Sequence, residues 1–597
     1  MVARFLITTA DERSWRTDRP VLFLGEWCRL YGRRAAWEKL DAEVVPYHWD
    51  DQDKFHADYQ YLRDFYERLL VLLAERLNQI HSVNKELRYW RISIGPWLAY
   101  FIQILFDRWS SIQLAVSRFD ISGTIIFKGN EHALVPNDMA HFGRLIASDE
   151  WNHHIYAVIL EQFSKVPYRR RAYEGCVATL KTNKVGLKQK IAASCFKIVS
   201  YFVRERDAFM ILTCLPFFSE MRLQLRFGQV PQFWRRVQPV CVSVDWRQRE
   251  WALKGQSRSE FEKCALALIP KQIPTPYVEG YKRLIDQTNK LRWPRCPKLI
   301  FTSNVLWFDT VSMAYIAERV EQGALLAYGQ HGGGYGMYKL MWAEEHETAI
   351  ADMYLTWGWN DNSHSNVTPI GMLKGTYSLK PGANSKANIL LVLGSCNRYS
   401  AQLDSYLKSS QLLGQIGNAL LFAESLPGSI RSRLLVRPYM YEYGWQDLLR
   451  WQERYPGLRI DTGQSKMRDL LKDARLAVYT YNSTGYLEAF ASNIPTVIFW
   501  DPAACLLRGS AIPYFEDLKR AGVYHETPES AAQHVASVWD DVDGWWKSPE
   551  VRAALDRFTN RYCSRPTDLF PRVEAALREM MASALTTRTH SEVSGGI

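Results

Sequence analysis

Short apolar runs that each close on a polar or glycine-bearing turn mark both ends of this chain. Val21-Leu22-Phe23-Leu24 runs into Gly25-Glu26-Trp27-Cys28, and Val44-Val45-Pro46-Tyr47 runs into His48-Trp49-Asp50-Asp51. Runs of this length bounded by turn residues predict buried strands, with a short helix expected between them over residues 33–40. Residues 59–79 place Leu62, Phe65, Leu69, Leu73 and Leu77 on one face, the spacing of a long amphipathic helix. The pattern is weakest over about 168–280, where a basic helical stretch (181–190) and a candidate strand (239–245) suggest an insertion. It sharpens again at 298–301, a strand ending in Thr302-Ser303-Asn304. A helix over 312–322 follows, closed by Gly323, and then the apolar run 324–327.

A stretch rich in Lys, Pro, Gly, Asn and Ser at 378–388 reads as a linker. Beyond it strands at 389–393, 434–436, 477–481 and 496–500 alternate with helices such as 412–424, the mark of a doubly wound parallel sheet. The expected fold class is α/β, with two Rossmann-like domains facing across a cleft. Residues 1–377 would form the first, with helical and aromatic insertions near 168–290, and 389–582 the second. The Thr/Ser/Gly-rich end, 583–597, is expected to be disordered.

Composition narrows the partners. The 597 residues carry a formal net charge of +11 with 22 Trp and 31 Tyr. Such a surplus suits sugar stacking, an interface or a membrane-adjacent face, and equally an aromatic core. The charge suggests a polyanionic partner, but no Lys/Arg block reads as a nucleic-acid patch. Ten cysteines are scattered without a C-x-x-C pair, which argues against a disulfide framework or structural zinc and fits a reducing compartment. No apolar stretch reaches spanning length and the N-terminus lacks a signal-peptide pattern. The expectation is a cytoplasmic protein, with a peripheral contact at the inner membrane also in view.

Candidate chemistry gathers at the predicted strand ends. In Gly329-Gln330-His331-Gly332-Gly333-Gly334-Tyr335-Gly336 an imidazole stands at a strand's mouth before four glycines within five residues. Glycines let backbone N–H groups approach a ligand, often an anion; a tight turn beside a core histidine has the same local look. Glu26 and Asp50 are candidate general bases, or else helix-capping and loop carboxylates. His48 lies beside Asp50, and Arg88 and Arg91 bracket Tyr89-Trp90, a pair able to hold a phosphate or carboxylate or to form a stacked structural network. Asn482-Ser483-Thr484-Gly485 ends a strand and opens a helix, an anion site by geometry and plain N-capping otherwise. Glu488, about one turn in, could accept from a ribose diol, and Arg437 ends a neighbouring strand on the same rim.

Ser483-Thr484-Gly485-Tyr486-Leu487-Glu488-Ala489 followed by Asn493-Ile494-Pro495-Thr496-Val497 resembles the donor-binding segment of two-Rossmann (GT-B type) glycosyltransferases. Gln330-His331-Gly332 with Ile370-Gly371 is similar to Kdo-transferase and CDP-glycerol-phosphotransferase relatives. Together with Gly25-Glu26-Trp27-Cys28, Tyr47-His48-Trp49-Asp50-Asp51 and Arg88-Tyr89-Trp90-Arg91, nearly the full length resembles a family of transferases from O-antigen and surface-carbohydrate gene regions. The resemblance implies a nucleotide-sugar donor, a Kdo- or nonulosonate-type acid from CMP among the options, and a glycan or lipid-linked glycan acceptor. The donor would be held by Gln330, Gly332, Gly333, Arg437, Asn482, Ser483, Thr484, Gly485 and Glu488. Glu26 ranks first as base, ahead of Asp50, with His331 positioning the donor. The Gly332–Gly336 extension departs from the usual His-Gly turn. No D-x-D motif stands in place for a metal, and no cofactor is implied. The alternatives are glycerol- or ribitol-phosphate transfer from a CDP donor, and a non-catalytic role in glycan assembly.

Overall fold

A computed structural model describes residues 2–174, 199–234, 236–361, 363–375 and 388–594, with side chains through 584. The basic stretch 181–190 and nearly all of the expected linker 378–388 lie outside the described residues.

The strands form three sheets, and every pairing among the described residues of these sheets is parallel. The first sheet comprises β1 (Arg4–Ile7), β2 (Val21–Phe23), β3 (Ala42–Val44), β4 (Ile121–Lys128) and β5 (Tyr168–Ala172), in the order β3-β2-β1-β4-β5. The second runs β10-β9-β8-β7-β6, from β6 (Phe209–Ile211), β7 (Leu299–Thr302), β8 (Leu325–Gly329), β9 (Met353–Thr356) and β10 (Val367–Pro369). The third contains β11 (Asn388–Val392), β12 (Leu434–Arg437), β13 (Arg459–Ile460), β14 (Ala474–Tyr479), β15 (Thr496–Phe499) and β16 (Tyr524–His525). Its order is β13-β12-β11-β14-β15-β16, so the direction of winding reverses between β11 and β14, where doubly wound folds bind ligands.

The α/β class and the facing Rossmann-like units are as the sequence predicts, but the N-terminal half holds two sheets instead of one sheet with an insertion. β5 reads Tyr-Arg-Arg-Arg-Ala and is exposed along its whole length, so an edge strand guarded by arginines carries no hydrophobic signal. β6 is only three residues long. Residues 239–245, expected as a strand, make no ladder pairing. The last helix runs Leu569–Ser594, through most of the expected disordered tail. Its first turns have an apolar face, with Val573 and Leu577 packed against Met210, Leu223 and Phe301 of the second unit.

One continuous core links all three units. Tyr335, Met337 and Tyr338 from the loop after β8 share it with Tyr399, Leu403, Tyr486 and Leu487 of the third unit. The chain also crosses back: Ser564 N donates to Trp357 O at 2.8 Å and Met372 N to Ser564 O at 2.8 Å. Much of the tryptophan surplus is core. Trp27, Trp49, Trp90, Trp97, Trp151, Trp357, Trp359 and Trp451 are fully buried. Among the described residues no helix is long and apolar enough to cross a membrane.

Candidate functional site

β8 delivers Gln330 and His331 to the cleft at its carboxyl end. Gln330 is fully buried and its side chain is spent on the turn itself. Its Oε1 accepts from Trp357 N and Trp359 Nε1 (both 2.9 Å), and its Nε2 donates to Gly332 O at 2.9 Å. It holds the loop in shape. Gly334 (φ 88°) and Gly336 (φ 71°) then take left-handed backbone, and a Cβ on Gly336 would sit 2.5 Å from the Trp359 ring.

The Gly333 N–H is not open to an anion. Gly333 packs on the start of the helix Thr484–Ala491, where its N–H donates to Thr484 Oγ1 at 2.9 Å. A Cβ there would meet the Ser483 carbonyl carbon at 2.5 Å and Thr484 N at 2.6 Å. Nearby, Tyr338 O–H donates to Asn482 O, and Arg508 joins Tyr338 O (3.0 Å) and Glu344 (2.7 Å). Glycine is required because two backbones from different units touch. Asn482 is likewise occupied, accepting from Tyr486 O–H at 2.8 Å, and Gly485 lets the helix lie on Tyr479, whose ring a Cβ would meet at 2.6 Å.

His331 faces a partner that the sequence reading passed over. Its Nδ1 lies 3.6 Å from Glu347 Oε1, and Tyr335 O–H lies 3.4 Å from the ring nitrogens. Glu347 is fully buried and accepts from Trp307 Nε1 (2.8 Å), Tyr335 O–H (3.0 Å) and Tyr354 O–H (3.0 Å). Burial pushes the Glu347 carboxyl up to about 8, only partly opposed by those donors. Burial, with the Lys374 charge nearby, pushes the His331 imidazolium down to about 4. At neutral pH the imidazole is therefore neutral and the carboxyl largely protonated. The signal for Glu347 is an acid at helical spacing between the apolar positions Ala343 and Ile350 of the helix Trp342–Ile350. Lys374 itself bridges to Glu488 Oε1 at 3.2 Å, so Glu488 meets a lysine of the second unit.

A cavity of about 330 Å³ opens at the β11/β14 switch point, with Gly333 and Tyr338 of the loop that carries His331 in its wall. Its walls include the Ser395-Cys396-Asn397 turn after β11, Ser483 at the helix N-terminus, Tyr439 and Tyr443 beyond β12, and Gly333 and Tyr338 from the facing unit. Ser483 caps no backbone N–H of its own helix. Lys408 also lines the cavity. Its ammonium is buried 3.8 Å from the Phe55 ring centroid and donates to Tyr406 O at 2.6 Å and Asp404 O at 3.2 Å. Burial lowers it to about 8, while the Asp404 carboxylate opposes that. Asp404, also lining the cavity, is raised by burial to about 7. Neither residue carries a local sequence pattern; both sit in the irregular segment between β11 and the helix Gln411–Ser425.

The remaining candidates lie elsewhere. Arg437 pairs with Asp461 and lines neither this cavity nor the one beside Asp50. His48 is buried in a network with Asp107 (3.2 Å), Tyr47 and Arg108. Arg88 holds Ile350 O (2.6 Å) and Asp352 (2.9 Å), and Arg91 forms a two-pronged pair with Glu67 (2.6 Å each). Glu26 is held by Arg29 in a two-pronged ion pair and lines neither cavity. Glu26→Gln is accordingly expected to change stability by no more than about 0.5 kcal/mol and to leave turnover unaltered, which steady-state kinetics checks. Asp50 lines a second cavity, described below. Among the described residues no three His, Cys, Asp or Glu side chains come together so as to hold a metal ion.

Against known proteins, a family model described as LIC12162 family transferase matches residues 4–574. The chain belongs to that family and is a transferase. No curated protein matches the sequence. Among solved structures, the chain is similar to the wall teichoic acid polymerase TagF at 10% identity, covering 67% of this chain and 95% of that one, with a TM-score of 0.31. It is similar to Anabaena HepE in complex with UDP and glucose at 10% identity, covering 64% and 99%, TM-score 0.33. It is also similar to Acinetobacter baumannii MurG at 11% identity, covering 50% and 78%, TM-score 0.30.

Proposed function

We propose that this transferase moves a sugar from a nucleotide-activated donor to a hydroxyl of a bacterial surface glycan, in the cleft between its second and third units. The observation that carries the reading is the cavity at the β11/β14 switch point, which puts a helix N-terminus, a buried lysine and tyrosines around one space. Its volume lies near the lower end of the roughly 300–1,000 Å³ usual for ligand pockets. Tyr439 and Tyr443 offer ring faces to a nucleobase. Ser483, at the N-terminus of the helix Thr484–Ala491, and Lys408 line the same space and would meet the phosphates.

In the proposed step the acceptor oxygen attacks the anomeric carbon. The new C–O bond forms as the bond from that carbon to the phosphate oxygen breaks, and the leaving nucleotide keeps the electron pair. Charge growing on that oxygen is met by the helix N-terminus and Lys408, fixed before the reaction begins. The acceptor's proton passes to neutral His331, and the ionised fraction of Glu347, which grows as pH rises toward about 8, stabilises the imidazolium formed. This reverses the ranking drawn from sequence, in which Glu26 was base and His331 a positioner.

Thermal-shift measurements with CMP, CDP, UDP and GDP test the donor site, since a ligand selective for the folded state raises Tm. At least one is expected to do so, and Lys408→Met is expected to abolish the shift, read against the variant's own ligand-free Tm, which falls because the Tyr406 and Asp404 carbonyls lose their buried donor. No shift with any nucleotide would sink the proposal. Product analysis separates sugar transfer from glycerol- or ribitol-phosphate transfer from a CDP donor, because only the latter leaves a phosphodiester in the product.

A further inference from the structure

A second cavity, of about 270 Å³, lies next to the first and shares Leu407 with it. Its floor is apolar, made by Leu407, Phe499 and Trp500, and its rim is polar, with Asp50 from the first unit facing Gln411, Gln415, Asn418 and Asp501 of the third. The two sides are already joined. Gln411 Nε2 donates to Asp50 Oδ1 at 3.2 Å and to Trp49 O at 2.9 Å, and Gln415 Nε2 donates to Thr480 O. Asp501 uses Oδ1 on Ala503 N at 2.8 Å. The Trp500 indole N–H is buried without a partner.

The chemistry of this lining differs from that of the first cavity. It holds two carboxylates and several amides, and no lysine or arginine. A phosphate or a uronate would meet two carboxylates and no cation in the lining to pair with, the nearby Lys408 charge lying in the wall of the first cavity and already acting on Asp50. A neutral pyranose fits, because its hydroxyls both donate and accept, matching carboxylate and amide groups, while its C–H face rests on an apolar floor. The position agrees: Thr480 in this wall directly precedes Tyr481 in the wall of the first cavity.

We infer that the Asp50/Gln411/Asp501 cavity is a subsite for a neutral sugar unit of the acceptor glycan, held beyond the unit that reacts. Its assignment to the acceptor rests on the sugar-transfer reading above, whereas sugar binding there is measured without any nucleotide. In this arrangement Asp50 reads the glycan and takes no proton from it.

Gly414 supplies the test. It sits on the helix Gln411–Ser425 in the cavity wall, and a Cβ built there meets nothing within 4 Å. Gly414→Leu therefore fills the cavity without crowding the helix, and leucine suits a helix better than glycine. Saturation-transfer NMR would be run with the methyl glycosides of glucose, galactose and mannose, with N-acetylglucosamine, and with glucuronate, on the parent, Gly414→Leu and Asp501→Asn. At least one neutral sugar is expected to bind the parent, at least fivefold more weakly to either variant, and glucuronate more weakly than glucose. The inference falls if none of the neutral sugars binds, if Gly414→Leu binds them as the parent does, or if glucuronate binds as well as glucose. The nucleotide-induced Tm shift of Gly414→Leu should equal that of the parent, so loss of sugar binding with that shift intact locates the effect in this subsite.

Discussion

His331→Ala is expected to lower kcat by roughly 10²–10⁴-fold, the usual loss when a general base is removed, with the nucleotide-induced Tm shift retained. The histidine stands at the cleft mouth with its ring partly exposed, 3.6 Å from Glu347 and outside the cavity wall that would hold the nucleotide. Substitution therefore removes the proton acceptor and leaves the donor site intact. Glu347→Gln should cost less, because the imidazole remains and only the charge that stabilises its protonated form is lost.

The pH profile separates the two residues. His331 titrates near 4 and so is neutral over the working range. Glu347 titrates near 8, so raising pH through that value creates the carboxylate that favours an imidazolium, and kcat is expected to rise. Because the groups interact, the inflection belongs to the pair. Stability moves the other way. The Glu347 pKa is raised from 4.5 in the folded chain, so its contribution is complete below about 4.5 and is lost as pH climbs through about 8. Glu347→Gln should flatten both the rise in kcat and this share of the fall in stability. A parent profile with no inflection between pH 7 and 9, or an identical profile in Glu347→Gln, would remove Glu347 from the mechanism.

Gly333→Ala is expected to cost about 1–3 kcal/mol, as overpacking does, and to lower kcat about 10²-fold. The added methyl would lie 2.5 Å from the Ser483 carbonyl carbon and 2.6 Å from Thr484 N. Both are backbone atoms, so no side chain can swing aside, and the second and third units must separate locally. That breaks the Gly333 N–H to Thr484 Oγ1 bond and shifts His331 relative to the helix N-terminus; about 1 Å of misplacement is enough for a loss of this size. Gly332→Ala is the control, since its nearest contact, Thr484 Oγ1 at 3.4 Å, is ordinary. Equal kcat values in the Gly333 and Gly332 variants would show that this contact does not set the catalytic geometry.

Sequence reading was accurate where one stretch of chain contains the whole cause. The third sheet was legible because β11, β12, β14 and β15 are buried, apolar and evenly spaced by helices, and a parallel sheet covered on both faces imposes that pattern. The Gln330–Gly336 loop and the Ser483–Glu488 turn stood out for a similar reason, since glycines and hydroxyls at strand ends are local signatures. The sequence places both around one donor; that Gly333 packs directly on the backbone of Ser483 and Thr484 is decided by the tertiary structure. The glycines after His331 answer a helix that lies about 150 residues further along the chain, and nothing near position 333 records it.

The sequence by itself therefore determined the class of fold, the position of the cleft rim and the residue types gathered on it. Only the tertiary structure decided what those residues do. It joined Glu26 to Arg29, Arg437 to Asp461 and Arg91 to Glu67, each candidate charge meeting an opposite one. It also brought His331 to Glu347 and put Lys408 and Ser483 in the wall of one cavity. The physical reason is that a side chain's reactivity depends on its partners and on its exclusion from water, and both depend on contacts between segments far apart in sequence.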